Sequence, residues 1–205
     1  MRKLLVLSAV GGLVACVGGR NAPPAEVYDF GLSPPPTAAG VPWTGVALEV
    51  RAPPWVNTPA VEYRLLYDTP LRLRAYAGSR WAGEPAQLLA QRLRQQLGIT
   101  AGGSHAPARC LLRVELQEFS QLFDSPQGSH GTLRGTLEVF DASQRRLATQ
   151  PFDIATPAAT ADARGGVAAL VTSSKELGRE IAAWLNDQEK HGRLTGCRTA
   201  AVADQ

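Results

Sequence analysis

The sequence predicts an α+β fold, a two-layer sandwich in which a mainly antiparallel sheet has two helices packed on one face. Segments with alternating apolar and polar residues occur in two groups, and each group is followed by a segment with apolar residues at helical spacing. Short turns join strands within each group, which favours antiparallel pairing. Two helices with one apolar stripe each can cover only one face of a sheet.

The first fifteen residues have the pattern of an export signal. Arg2 and Lys3 precede an apolar stretch of about 12 residues, which suits a signal-peptide core and falls short of the roughly 20 that span a bilayer. The stretch ends in Leu13-Val14-Ala15-Cys16, which resembles the bacterial lipobox, where a diacylglyceryl group alkylates the cysteine before cleavage. A mature chain lipidated at Cys16 is therefore predicted. The alternative is an ordinary secretory signal cut elsewhere, with Cys16 incidental.

Lipidation at Cys16 predicts a membrane-anchored domain. More than one acyl chain holds a protein stably at a bilayer, and no later segment approaches ~20 continuous apolar residues. The residue after the cysteine is Val17, whereas lipoproteins retained in the inner membrane of diderm bacteria usually carry Asp at that position. The expected location is the outer membrane, with the domain facing the periplasm.

The chain is predicted to have four parts. Residues 1–15 are the signal peptide, and residues 16–40 contain the lipidated cysteine and a tether rich in Pro and Gly. Residues 41–187 form one α+β domain, because a mature chain of about 190 residues suits a single core. Residues 188–205 form a polar C-terminal tail.

The first group of strands precedes a helix. Residues 27–32 alternate in polarity and form either an edge strand or an apolar spot on the tether. Residues 46–50 form a half-buried strand, and residues 61–67 and 71–75 form a hairpin around the turn at residues 68–70.

Both helices are predicted from apolar residues that recur on one face. The first helix begins at Pro85, which suits an initial helical turn, and it ends at Gly98. The second group of strands and the closing helix occupy residues 110–116, 133–139, 147–154 and 167–185.

The net charge argues against nucleic acid as a partner. The whole chain has a formal charge of +3, from 21 basic and 18 acidic residues. Because Arg2 and Lys3 leave with the signal peptide, the mature chain carries a net charge of only about +1. No electrostatic reason for binding nucleic acid remains.

Two cysteines remain after Cys16. An even pair in an exported domain predicts a disulfide between Cys110 and Cys197, which would fasten the C-terminal tail to the core. The alternative is a buried free Cys110 and an exposed Cys197. Neither a metal site nor a cofactor is expected, because the histidines lie far apart and none has a partner at ligand spacing: His105, His130 and His191.

The sequence does not predict an enzyme. It contains no nucleophile elbow, phosphate-binding loop or zinc-protease motif. A Ser-x-x-Lys catalytic site needs a serine three residues before the lysine, but Thr172 occupies that position before Lys175. Ser174 lies on the predicted core face. Gly165-Gly166 could offer amides to a phosphate, although such a pair more often eases the start of a helix.

Exposed aromatic residues are the candidates for partner binding. Alternation along the strand from Cys110 places Phe119 and Phe123 outward, where they would form an apolar patch. The alternative is a bulge at Glu118 that turns both phenylalanines inward. The complete candidate set is Trp55, Trp81, Phe119, Phe123 and Phe140. For the tryptophans the alternative is burial, which is commoner than exposure at a strand–helix junction.

Several segments carry a family resemblance in their order and spacing. They are Pro54-Trp55-Val56-Asn57-Thr58-Pro59, Tyr63-Arg64-Leu65, Ala77-Gly78-Ser79-Arg80-Trp81-Ala82, Leu88-Leu89-Ala90-Gln91-Arg92-Leu93, and residues 116–124 and 169–185. Together they resemble the ABC-type transport auxiliary lipoproteins, which include the paraquat-inducible outer-membrane lipoprotein. The resemblance spans residues 28–185, contains no catalytic motif, and departs from the family at Val56, where leucine is expected.

The resemblance implies a non-enzymatic subunit of an ABC transport system. Such systems pair an ATPase and a permease with a mammalian-cell-entry domain protein, and they carry phospholipids or other apolar molecules between the two membranes. The lipoprotein would receive the periplasmic assembly at the outer membrane, as a ring-like homo-oligomer. A structural envelope scaffold without a transport role is the alternative, and the motif search argues against an anchored hydrolase.

Overall fold

A layer of seven strands and a layer of two helices make up the computed structural model, which describes residues 24–32, 43–99 and 108–197. The predicted signal peptide, Cys16 and the end of the predicted tail lie outside these residues. The strands are β1 (Glu26–Tyr28), β2 (Val46–Arg51), β3 (Ala60–Leu65), β4 (Thr69–Trp81), β5 (Cys110–Phe123), β6 (Ser129–Asp141) and β7 (Arg146–Pro157). The helices are α1 (Pro85–Leu97) and α2 (Ala163–Lys190). The predicted α+β class is confirmed.

The sheet is open and mixed. Its strand order is β1-β4-β3-β5-β6-β7, and β2 also pairs with β5. The predicted hairpin β3–β4 and the succession β5–β6–β7 are antiparallel. Three shorter pairings are parallel, namely β1 with β4, β2 with β5 and β3 with β5. The connection from β3 to β5 contains α1, and long connections of this kind allow parallel pairing.

Strands β2 and β3 lie one after the other along the same edge of β5. Val46 to Arg51 of β2 pair with the first part of β5, and Tyr63 to Leu65 of β3 pair with its last part. The loop between β2 and β3 therefore lies beside the middle of β5, and it carries the Trp55 segment.

Both helices pack on the same face of the sheet and against each other. Pro85 occupies the first turn of α1, and Gly98 ends the helix with a left-handed φ of 64°, as the sequence predicts. The predicted apolar stripes form the core, which includes Leu89, Leu93, Leu170, Leu177, Ile181 and Leu185.

The folded domain extends beyond the predicted boundaries at both ends. Strand β1 pairs with β4 and Phe30 enters the core, although both belong to the stretch assigned to the tether. Helix α2 continues to Lys190, and Cys110 and Cys197 form a disulfide with a Cα–Cα distance of 5.2 Å. This crosslink and the fully buried Leu194 hold the first part of the tail against the core.

Candidate interaction surface

The register of β5 decides where its phenylalanines point. Leu116 pairs with Gly135 whereas Glu118 pairs with Arg134, so Gln117 is an additional residue in β5 and forms a bulge. The side-chain alternation reverses after the bulge. Phe119 and Phe123 therefore face the helices and are 2% and 6% exposed. Their expected exposure is wrong, and the bulge alternative is correct.

Trp81 is also buried, at 1% exposure, so the alternative of a buried tryptophan at the strand–helix junction is correct and Trp81 is not a surface candidate. Its ring centroid lies 5.6 Å from that of Phe30 and 5.4 Å from that of Phe119. These distances are typical of aromatic pairs in cores. Trp81 therefore joins β4 to β5 and to the segment that follows β1, and it does not contribute to an interaction surface.

Phe140 is partly buried beneath a charged side chain. The guanidinium carbon of Arg113 lies 4.7 Å from the centre of the Phe140 ring, a cation–π arrangement. Both residues lie on the sheet face opposite the helices, as the sequence predicts for them. Because Phe140 is half-buried and the arginine lies over its ring, Phe140 offers little apolar surface.

Trp55 is the candidate that the structure leaves on the surface, with 65% of the residue exposed. The loop that carries it is held by the two residues that follow Trp55. Val56 is buried. The side-chain nitrogen of Asn57 donates to Glu84 Oε2 at 2.8 Å, and its side-chain oxygen accepts from the backbone amide of Ala86 at 3.1 Å. Trp55 is therefore displayed on a loop fixed to the start of α1.

Ion pairs cover the sheet face opposite the helices, called the open face below. The Arg113 Nε donates to Glu49 Oε2 at 2.9 Å, and Arg64 lies 3.4 Å from Glu118. Two further pairs occupy β6 and β7, namely Arg134 with Asp153 and Arg146 with Glu138. This pattern is typical of a sheet face in contact with water.

One carboxyl on β3 has an unusual environment. Burial raises the pKa of Glu62 to about 7, and the nearby negative charge of Glu118 adds to this rise. The hydrogen bond from Thr58 and the positive charge of Arg64 act to lower the pKa of Glu62. Sequence reasoning missed this residue, because the burial of one glutamate depends on strand pairing and not on local pattern.

A polar network lies on the helix side of the sheet. The Tyr76 hydroxyl donates to Gln121 Oε1 at 2.9 Å, and the Gln121 amide donates to Ser129 Oγ at 2.7 Å. Burial is the main cause that raises the pKa of Tyr76. Sequence analysis did not predict this network, because the bulge at Gln117 is what turns Gln121 toward the helices.

The residues that the sequence offered as a phosphate site or a nucleophile, Gly165, Gly166 and Ser174, have structural roles. The amide of Gly165 donates to the side chain of Asp162, the N-cap of α2, at 2.8 Å, and a Cβ on Gly166 would lie 2.1 Å from Gln121 Oε1. Ser174 is buried and its hydroxyl donates to the Leu170 carbonyl at 2.9 Å. Among the described residues, no group of His, Cys, Asp and Glu could hold a metal ion.

Apolar side chains are exposed at the turn between β3 and β4. Leu66 is 38% exposed, Tyr67 is 47% exposed, and Leu71 near the start of β4 is 95% exposed. These three residues are called the hairpin tip below. No helix within the described part of the chain has the length and apolar character needed to cross a membrane.

Comparison with known families identifies the fold's relatives. The family model for the ABC-type transport auxiliary lipoprotein component matches residues 30–182, from the core residue Phe30 into α2. The chain belongs to this family. The resemblance found in the sequence is thereby confirmed, and a role associated with ABC transport follows from the family. No curated protein matches the sequence.

Two solved structures share the fold. A DUF330 protein from Xanthomonas campestris has a TM-score of 0.68 at 19% identity, with 82% of this chain and 98% of that chain covered. An uncharacterized protein has a TM-score of 0.61 at 14% identity, with 79% and 99% covered. At these identities the similarity shows the fold alone.

Proposed function

We propose that this chain is an outer-membrane lipoprotein, anchored through Cys16, that serves as a non-enzymatic subunit of an intermembrane transport system. In this proposal it docks the periplasmic assembly of an ABC and mammalian-cell-entry type system at the outer membrane. The cargo is phospholipid or another apolar molecule, and the lipoprotein works as a homo-oligomer. The family match over residues 30–182 supports the transport role.

The observation that carries the docking proposal is the exposed Trp55 on its fixed loop. Tryptophan is among the residues that contribute most to binding energy at protein interfaces. A loop already held by Val56 and Asn57 loses little conformational freedom on binding, so more of the contact energy appears as affinity. Trp55 is therefore proposed as the centre of the contact with the mammalian-cell-entry protein.

The test is purification of the tagged full chain from its own membranes in mild detergent after brief cross-linking, followed by identification of the proteins recovered. We expect the mammalian-cell-entry protein to be recovered with the wild type. Trp55→Ser should lower its recovery by about tenfold, the effect of a hot-spot residue worth ~1.4 kcal/mol.

The matched control is Leu32→Ser, because Leu32 is 99% exposed and lies outside the Trp55 loop. This variant should recover the partner as well as the wild type does. If the wild type recovers only itself or peptidoglycan-linked proteins in repeated preparations, the structural scaffold is the better function. If Trp55→Ser recovers the partner unchanged, the docking contact lies elsewhere on the domain.

A further inference from the structure

The hairpin tip exposes apolar side chains on a protruding turn. Leu71 is 95% exposed, and Leu66 and Tyr67 lie beside it. Two backbone amides of the turn already have partners, because the Leu66 amide donates to the Phe123 carbonyl at 2.9 Å and the Asp68 amide donates to the Leu65 carbonyl at 3.3 Å. The tip can therefore leave water without leaving these two amides unpaired.

The direction of β1 shows which end of the domain the N-terminal chain approaches. Strand β1 is parallel to β4, and Glu26 pairs with Ser79. Strand β4 starts beside the hairpin tip, so the N-terminal end of β1 is the end nearer to the tip.

The length of chain before β1 limits how far the domain stands from an anchor at Cys16. Glu26 lies ten positions after Cys16, and this stretch of chain spans at most about 35 Å when fully extended. Leu71 precedes Ser79 by eight residues along β4, a distance of at most about 26 Å, and the register shifts between β3 and β4 shorten it. The hairpin tip thus lies within the reach of a chain anchored at Cys16, on the side of the N-terminal end of β1.

The composition of the tip suits the boundary between lipid headgroups and acyl chains. Leu66 and Leu71 are aliphatic, and Tyr67 has an apolar ring with a polar hydroxyl, which is the kind of residue enriched at membrane interfaces. Arg72, which follows Leu71, is exposed and carries a charge that phosphate headgroups attract.

We propose that the hairpin tip is a second membrane contact, inserted at the lipid interface beside the acylated Cys16. This inference rests on the lipidation of Cys16 in the proposed function. The contact gives the domain a defined orientation, with β4 pointing away from the membrane. The Trp55 loop lies between β2 and β3 and is not part of the β3–β4 turn. It is therefore left free for the protein partner.

The test places a photoreactive amino acid, p-benzoylphenylalanine, at position 71 of the full chain in its own membranes. Irradiation is followed by mass analysis of the adducts. Position 32 is the matched control, because Leu32 is also a leucine, is 99% exposed, and lies beyond the end of β1 that points away from the tip. We expect at least about tenfold more phospholipid adduct at position 71 than at position 32, because position 71 would lie at the acyl boundary.

Each other outcome overturns the inference. Adducts at position 71 to a second copy of the chain, or to another protein, assign the tip to a protein interface. Equal lipid adducts at the two positions, or none, exclude a specific membrane contact. Fractionation of the same cells separates this failure from that of the proposed function. A membrane-bound chain without lipid adducts contradicts only the tip contact, whereas a chain in the soluble fraction contradicts both proposals.

Discussion

Gly135 lies in the middle of β6, where β5 and β7 approach its backbone from both sides. A Cβ at this position would lie 2.1 Å from the Glu115 carbonyl oxygen and 2.6 Å from the Phe152 ring. The backbone oxygen cannot move without breaking the pairing of β5 with β6. We therefore expect Gly135→Ala to lower the free energy of unfolding by about 3 kcal/mol, measured by urea denaturation.

The control for this substitution is Gly78→Ala in β4. A Cβ on Gly78 would meet no atom within 4 Å. This variant should stay within about 0.5 kcal/mol of the wild type, as most surface substitutions do. Equal effects of the two substitutions would mean that strand propensity, and not the contact at Gly135, determines the loss.

Glu62 is the residue whose environment predicts a pH dependence. Its folded pKa of about 7 lies above the ordinary value of 4.5 for a glutamate side chain. Between these values the folded chain holds a proton that the unfolded chain has lost, so the contribution of Glu62 to stability falls as pH rises through this window. Glu62→Gln should therefore stabilise the chain at pH 8 by on the order of 1 kcal/mol, allowing for solvent screening, and have little effect at pH 4.5.

Urea denaturation of both proteins at the two pH values measures this difference. Glu115→Gln is the control, since Glu115 also lies on the open face, where its carboxylate is 3.9 Å from Arg113 and 4.0 Å from Arg51. Glu115→Gln should not stabilise the chain more at pH 8 than at pH 4.5. A Glu62→Gln effect that is the same at both pH values would contradict the assigned titration.

At the scale of elements, the disulfide joins the start of β5 to the segment after α2. The crosslink spans 87 residues of sequence and encloses β5, β6, β7 and α2. Reduction should lower the free energy of unfolding by about 4 kcal/mol on the chain-entropy model, because the unfolded chain regains the freedom of a closed loop. Denaturation with and without reductant measures the loss.

The double variant Cys110→Ala/Cys197→Ala provides the control for reduction. It should unfold at the lower stability whether or not reductant is present. Leu194 is buried beside the crosslink, so this part of the tail is also expected to lose its protection from hydrogen exchange when the bond is absent. Reductant sensitivity that persists in the double variant would point to an effect unrelated to this bond.

At the scale of the whole molecule, the proposed anchor determines where the chain is found in the cell. Cys16→Ala removes the thiol that would carry lipid, and we expect the variant to move from the membrane fraction to the soluble fraction. Fractionation followed by immunodetection measures the distribution. The folded domain itself should be unaffected, because β1 starts ten residues after Cys16.

Cys197→Ala is the matched control for fractionation, because it removes a cysteine of the folded domain and leaves the lipobox intact. This variant should remain in the membrane fraction. A Cys16→Ala chain that also stays with the membrane would contradict anchoring through Cys16. Such a result would favour an uncleaved signal or a protein partner as the means of attachment.

The sequence by itself determined the class of the fold, the hairpin β3–β4, the bounds of α1 and the family. These features depend on local information. Alternating polarity identifies a strand, helical spacing identifies a helix, and Pro85 and Gly98 mark the ends of one. The family resemblance likewise depends on short segments whose order and spacing are visible along the chain.

Only the tertiary structure decided which aromatic residues reach the surface. One additional residue, Gln117, reverses the side-chain direction in β5, so Phe119 and Phe123 enter the core and Trp55 remains exposed. The parallel pairing of β2 and β3 with one edge of β5, and the position of the hairpin tip relative to β1, depend on contacts between distant segments. Local periodicity carries no information about such contacts, because it does not specify which strands become neighbours.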